Sequence, residues 1–283
     1  MGTKIEWTGE SWNPVVGCTK VSEGCQNCYA ERMAGRLANM HQEKYAAVVK
    51  HETRYEGIEE DPQFVFLPKW SGRIFCDESV LDKPLHWRKP RRIFVCSMGD
   101  LFHEKVPFEF IHRVFDIICK TPWHTYQIPT KRPKRLLEFT QTCAQHNGCG
   151  NSSSFDGARY HSMASWPHAN VWLGVSVENQ KEMWRAGILG RIPAAVRFIS
   201  FEPLLGDITY YPIEMKQLSW VIIGAESGPK RRECKLEWVR DIVQQCKAAD
   251  VPVFVKQLSI NGKVEHNIEK FPEDLRLRQY PQG

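Results

Sequence analysis

The sequence of 283 residues has no uncharged apolar run long enough to cross a bilayer, which argues against an α-helical membrane span. Its opening residues, Met1-Gly-Thr-Lys-Ile-Glu-Trp7, have no apolar stretch of signal-peptide length, so a cytoplasmic protein with no membrane partner is expected. No internal repeat and no low-complexity tail is present, which argues against solenoids and tethered arrays. Neither sign of charge dominates. A formal net charge of +5 permits a polyanionic partner without demanding one. Hydrophobic residues at 42% and charged residues at 25% are ordinary for a folded protein and exclude general disorder.

Cysteine, by contrast, is plentiful at 10 residues. In a chain of this length expected in a reducing compartment, that points to metal binding, catalysis or burial rather than a disulfide framework.

Short apolar, β-branched runs lie at residues 92–97, 124–129, 171–177, 196–201, 220–224 and 252–255. None alternates strictly, as expected of parallel strands buried on both faces. Amphipathic segments separate them at 29–40, 108–120, 133–142, 180–189 and 236–249. A first strand is expected near 13–16. Repeated strand–helix units predict a parallel α/β fold, and the economical form is one domain over 1–283, a partial (β/α)6-type barrel. An open doubly wound sheet gives a similar pattern. Residues 41–72 and 143–169 break the rhythm and read as two insertions, the second as a long loop or lid.

Three cysteines fall close together in Gly17-Cys18-Thr-Lys-Val-Ser-Glu-Gly-Cys25-Gln-Asn-Cys28, between the first strand and the first helix. Thiolates are soft donors that suit zinc or iron–sulfur centres. Three ligands rather than four leave one metal position open; on a [4Fe–4S] cluster, that is one iron without a protein ligand. A Cys3His zinc knuckle and buried cysteines without a ligand are the other readings. Gly17 and Gly24 allow the loop to wrap closely.

Trp12-Asn-Pro-Val-Val-Gly-Cys18 followed by Gly24-Cys-Gln-Asn-Cys-Tyr-Ala-Glu31 resembles a phage- and prophage-associated three-cysteine family of unknown function, related to the radical S-adenosylmethionine (SAM) superfamily. Matching stretches follow at 97–104, 130–133, 174–179, 200–205, 224–229 and 254–257, so the resemblance spans almost the whole chain. Two departures stand out. Six residues separate the first two cysteines, where the common radical SAM motif has three, and Lys256-Gln-Leu-Ser259 lacks an aromatic after the Lys-Gln pair.

The resemblance implies a barrel of the radical SAM kind, with Cys18, Cys25 and Cys28 on three irons and SAM chelating the fourth. It also implies an external one-electron reductant. Cleavage of SAM would yield methionine and a 5′-deoxyadenosyl radical that abstracts a substrate hydrogen. Ser97, Met98, Gly99 and Asp100 occupy the place of the motif that holds the SAM amino group, Asp100 also reading as a helix N-cap. Ser176 and Glu178 would contact the SAM ribose or carboxylate, with a capping box as the plain alternative. Lys131 completes the cofactor-binding set.

In parallel barrels, function gathers at the C-terminal ends of strands. Glu202, Glu226 and Lys256 end otherwise apolar strands, where an unpaired buried charge is costly, so they either pair with one another or serve as catalytic residues on substrate. Lys131, Arg132, Lys134 and Arg135 follow the third strand, and Lys230, Arg231 and Arg232 the sixth. On one rim they would bind the phosphates of a nucleic acid or nucleotide, the expected substrate being a nucleobase of phage DNA in the host cytoplasm; a solvated face is the plain reading. A peptide or small-metabolite substrate, or a zinc-bound accessory protein without catalysis, are the alternatives. Trp12, Trp123 and Trp166 offer faces on which bases stack. Cys143, His146, Cys149 and His161 raise a second metal site at a spacing that matches no ligand pattern.

Overall fold

Apolar, β-branched runs become the strands of one largely parallel sheet, as residues buried on both faces require. The computed structural model describes residues 3, 5–55, 64–147, 166–209 and 215–281. The sheet has eight strands: β1 (Glu10–Trp12), β2 (Arg92–Val95), β3 (Thr125–Thr130), β4 (Val171–Ser176), β5 (Val196–Phe201), β6 (Trp220–Gly224), β7 (Val253–Ile260) and β8 (Lys263–Glu265). Their spatial order is their order in sequence, β1 to β7 parallel and β8 antiparallel to β7. Helices α1 (Tyr29–Asn39), α2 (Phe108–Lys120), α3 (Pro133–Asn147) and α4 (Trp184–Leu189) lie in the connections from β1 to β5, and α5 (Leu236–Ala248) in that from β6 to β7.

Period-two alternation sends the strand side chains to two cores. Ile93, Tyr126, Leu173, Ile199, Val221 and Val253 face the helices, where α2 buries Ile111, Val114, Phe115 and Ile118 at helical spacing. Phe198, Trp220, Ile222 and Phe254 face the other way and close around Trp7. The Trp7 ring lies 5.0 Å from Phe94 on β2 and 6.2 Å from Phe198 on β5, so the sheet bends around the segment that precedes β1. Wrapping of this kind needs sequential strand order, and to that extent the barrel-like expectation is met. The sheet is not closed, however; β1 and β8 are its edges.

Several boundaries differ from the sequence reading. Strand β7 runs through Ile260 rather than stopping at 255, so Lys256 lies within the strand and not at its end. The helix expected from 180 begins at Trp184. The first strand is Glu10–Trp12 rather than 13–16, because Pro14 has no N–H for the ladder. Val15–Val16 pairs instead with Phe75–Cys76 in a separate antiparallel pair. Residues 41–72, expected as an insertion, hold a short helix, Glu43–Val48, and the antiparallel strands Val49–Tyr55 and Phe64–Trp70. Val48 and Trp70 pack with Ala30 and Ala34 of α1, and a Cβ on Gly35 would come within 2.3 Å of Pro68. Finally, α3 runs through Asn147, beyond the expected end at 142. Residues 148–165, the greater part of the expected lid, lie outside the described residues. The suggested second metal site, Cys143, His146, Cys149 and His161, likewise falls outside the described side chains. Among the described residues, no helix is long and apolar enough to cross a membrane.

Candidate functional site

The cysteine loop leaves β1 and lies across the C-terminal ends of the neighbouring strands. Gly17 takes a φ of 94° and its N–H donates to the Met98 carbonyl at 3.1 Å. Gly17 also bridges Gly99, where a Cβ would stand 2.7 Å from the Val15 carbonyl oxygen. Two backbones thus touch with no room for a side chain, the use for which glycine is suited. Asn13 Oδ1 accepts from the Ser97 hydroxyl at 3.1 Å and the Met98 N–H at 3.0 Å, fixing the turn after β2 against the start of the loop.

From the end of β3, Arg132 reaches into the loop. Its guanidinium donates to Thr19 O at 3.0 Å, to Thr19 Oγ1 at 2.8 Å and to Cys18 Sγ at 3.6 Å. Asp100 and Glu104 hold it at 3.1 and 2.9 Å. Asp100 is itself filled: it accepts from Arg132, the Thr130 hydroxyl, and the N–H groups of Phe102 and Lys131. The residue expected to hold the SAM amino group is therefore engaged by four donors of this chain, one of them the Phe102 N–H of its helix-cap-like turn. Burial works against the charge of Arg132, and Asp100, Cys18 and Glu104 more than offset it, so its pKa stands above the ordinary value.

The ends of β4 and β6 grip the same loop. Glu178, 0% exposed, accepts the Gly24 N–H at 3.1 Å and pairs with the buried Arg185 of α4 at 2.9 Å. A Cβ on Gly24 would meet the Glu178 carboxyl carbon at 2.9 Å, so glycine is required there for contact rather than conformation. Asn179 donates to Glu23 at 3.0 Å. Glu226 accepts from Asn27 and Arg232, and Arg232 also donates to the Glu23 carbonyl at 3.0 Å and Gln26 at 3.3 Å. Burial opposes the Glu226 charge, but donors from Arg232 and Asn27 hold its carboxyl below the usual range.

Cys18, Cys25 and Cys28 are free, half-buried thiols. Burial pushes the Cys18 thiol up to about 12; Asp100 adds to this, Arg132 opposes it, and Cys25 and Cys28 raise it further. Burial also raises Cys28, with backbone N–H groups of Glu31 and Ala30 opposing, Cys25 adding and Lys131 opposing. Three soft donors that feel one another's charge fit a centre that neutralises them together. Among the described residues, no group of three or more His, Cys, Asp or Glu is gathered as ligands of one metal ion. A single zinc needs such a group, with sulfurs about 2.3 Å from the ion. An iron–sulfur cluster would instead take each thiolate on a different iron.

The model of one protein family, described as a protein of unknown function (DUF5131), matches residues 2–276. The chain belongs to that family. No curated protein and no solved structure matches it.

In this DUF5131 member, Glu202 and Lys256 form an ion pair at 2.7 Å on the concave side of the sheet. Trp7 Nε1 and Ser200 Oγ donate to the other Glu202 oxygen at 3.1 and 3.0 Å. Of the three charged residues expected to pair with one another, Glu202 and Lys256 do, whereas Glu226 pairs with Arg232; Asp100 and Glu178 are likewise each paired with an arginine. Tyr29, 45% exposed, donates to the Ser97 carbonyl at 2.7 Å. Ser176 Oγ and the Lys131 ammonium have no hydrogen-bond or ion-pair partner among the described residues.

The basic run after β3 does not form one rim. Arg132 is turned inward at 5% exposure, and Arg135 lies over the Phe108 ring at 3.6 Å and pairs with Glu138. Lys134 is exposed over Trp184. After β6, Lys230 is exposed, Arg231 bridges the Gly228 and Gly262 carbonyls, and Arg232 serves Glu226. Nor are the three tryptophans at hand for stacking on a substrate. Trp12 is buried with its N–H on the Val80 carbonyl, Trp166 packs on Phe115, and Trp123 precedes β3 at the opposite end of the sheet. Sequence reasoning missed Trp7, Asn27, Thr19 and Arg185. For Arg185 the only signal was its acidic company, Glu178 and Glu182, on the adjoining turn.

Proposed function

We propose that this protein is a radical SAM enzyme in which Cys18, Cys25 and Cys28 hold a [4Fe–4S] cluster and SAM occupies the fourth iron. The observation that carries the reading is the three-thiol loop, tied across the ends of a parallel sheet by Arg132, Glu178 and the Glu226–Arg232 pair. A loop with no metal role has little use for clamps from three strand ends. When bound, such a cluster supplies the electron that cleaves SAM to methionine and a 5′-deoxyadenosyl radical.

The chain's own groups do the rest. Arg132 orients Cys18, and Asp100 acts on it as a positioning residue rather than as a SAM ligand. Glu178 fixes the Gly24 backbone beside Cys25. Lys131 and Ser176 are the polar side chains left for the SAM carboxylate and ribose. Glu202 and Lys256, with Trp7 and Ser200, form a hydrogen-bonding floor toward the concave side, where a substrate would be held and water limited.

For the substrate we favour a nucleobase, in phage DNA by the resemblance of the motifs, with Lys134, Lys230 and Arg231 as phosphate contacts. The test is incubation with SAM, dithionite and isotopically labelled DNA, nucleotides or free bases. A SAM-dependent mass shift in one of them is expected. SAM cleavage with all three unchanged would point to a peptide or metabolite instead, and stoichiometric zinc without iron would remove the radical SAM reading altogether.

A further inference from the structure

A thiolate that carries a metal centre is tuned by what donates to its sulfur. Only one side chain among the described residues donates a charged N–H to any of the three thiols: Arg132, at 3.6 Å from Cys18 Sγ. The geometry points to Arg132 as the positioning residue that raises the reduction potential of the centre on Cys18, Cys25 and Cys28, an inference that rests on the iron–sulfur reading above.

Every donor direction of the guanidinium is committed. Nε is on Glu104, Nη1 on Asp100 and Cys18, and Nη2 on both Thr19 oxygens. The planar fork is what lets one side chain do this; an ammonium has neither the shape nor the number of fixed directions. Asp100 is in turn fixed by Thr130 and two backbone N–H groups, so the cation cannot swing away from the sulfur. One-electron reduction by dithionite adds a negative charge to the centre and breaks no bond. A buried cation donating to a ligand sulfur favours the more negative state, in surroundings that screen it far less than water does. Two carboxylates work against it: Asp100, buried and paired with the same Nη1 that reaches Cys18, and Glu104, more weakly, because its carboxylate is 62% exposed.

Two substitutions should therefore shift the potential in opposite directions. In anaerobically reconstituted protein, Arg132→Gln should lower the ratio of reduced to oxidised centre about tenfold at a fixed potential, about 59 mV for one electron. Glu104→Gln should raise the ratio by a smaller factor, and its exposed site makes folding safe. Lys120→Ala, at the end of α2, removes a charge elsewhere and should leave the midpoint where it is. The experiment is a dithionite titration followed by electron paramagnetic resonance, with iron and sulfide counted in each variant. Variants that carry wild-type iron with an unmoved midpoint overturn the inference alone. If Arg132→Gln fails to hold iron, the Glu104→Gln midpoint decides, and no upward shift overturns it. Wild-type protein without iron overturns the cluster reading and this inference with it.

Discussion

Arg185→Leu tests whether the paired charges at the strand ends hold the cysteine loop. Arg185 and Glu178 are 1% and 0% exposed at the side chain, 2.9 Å apart, and Arg185 also pairs with Glu182 at 2.8 Å. Without the guanidinium, the Glu178 carboxylate keeps one donor, the Gly24 N–H. An uncompensated buried charge of this kind costs about 3–5 kcal/mol. For a chain of this size, each kcal/mol lowers the melting temperature by about 2–4 °C, so the fall should be about 6–20 °C. Replacing both partners, Arg185→Leu with Glu178→Leu, removes the charge and leaves the Gly24 N–H unmet, a cost of about 1–3 kcal/mol. The double variant should accordingly be more stable than Arg185→Leu by roughly 2 kcal/mol, taking the difference of those two ranges. Thermal unfolding followed by circular dichroism, arranged as a double-mutant cycle, measures this. A single variant within about 0.5 kcal/mol of wild type, or a double variant less stable than the single, would refute the reasoning.

Two further outcomes follow from the same contacts. Gly99→Ala forces a Cβ to 2.7 Å from the Val15 carbonyl and 3.1 Å from that of Gly17, atoms of backbone that cannot turn aside. The urea midpoint should fall by the equivalent of about 1–3 kcal/mol; an unchanged midpoint would mean the loop does not rest on that turn. Glu226 has a folded pKa below its unfolded one, so its stabilisation is complete above the ordinary carboxylate range and is lost as pH falls through the lowered value. The stability difference between wild type and Glu226→Gln should stay constant from neutrality to about pH 5 and close below it; a difference that widens in acid would reverse the assignment.

The strands from β2 to β7 and helices α1, α2 and α5 were legible because burial on both faces and on one stripe leaves different spacings in the chain. So was the thiol loop, since its cysteines are close in sequence. Long-range partnership was not. Arg132, Lys134 and Arg135 look alike as a basic run, and only the fold turns the first inward to Cys18, lays the second over Trp184 and rests the third on Phe108. Trp7 sits in a segment without periodicity, yet it is the ring around which the concave core closes. Within 41–72 the polar strand Val49–Tyr55 shows its nature only through its antiparallel pairing with the more apolar Phe64–Trp70. Strand β8 did leave a mark, the Asn261-Gly262 pair, whose φ angles of 49° and 70° suit a tight hairpin turn, but three residues are too few to read as a strand.

Release of 5′-deoxyadenosine from SAM is the most direct test of the central claim. Protein purified without oxygen, carrying about four irons per chain as a [4Fe–4S] cluster requires, should form it on reduction with dithionite, and Cys25→Ala should not. An intact cluster that never cleaves SAM, or cleavage that survives loss of Cys25, would contradict the account.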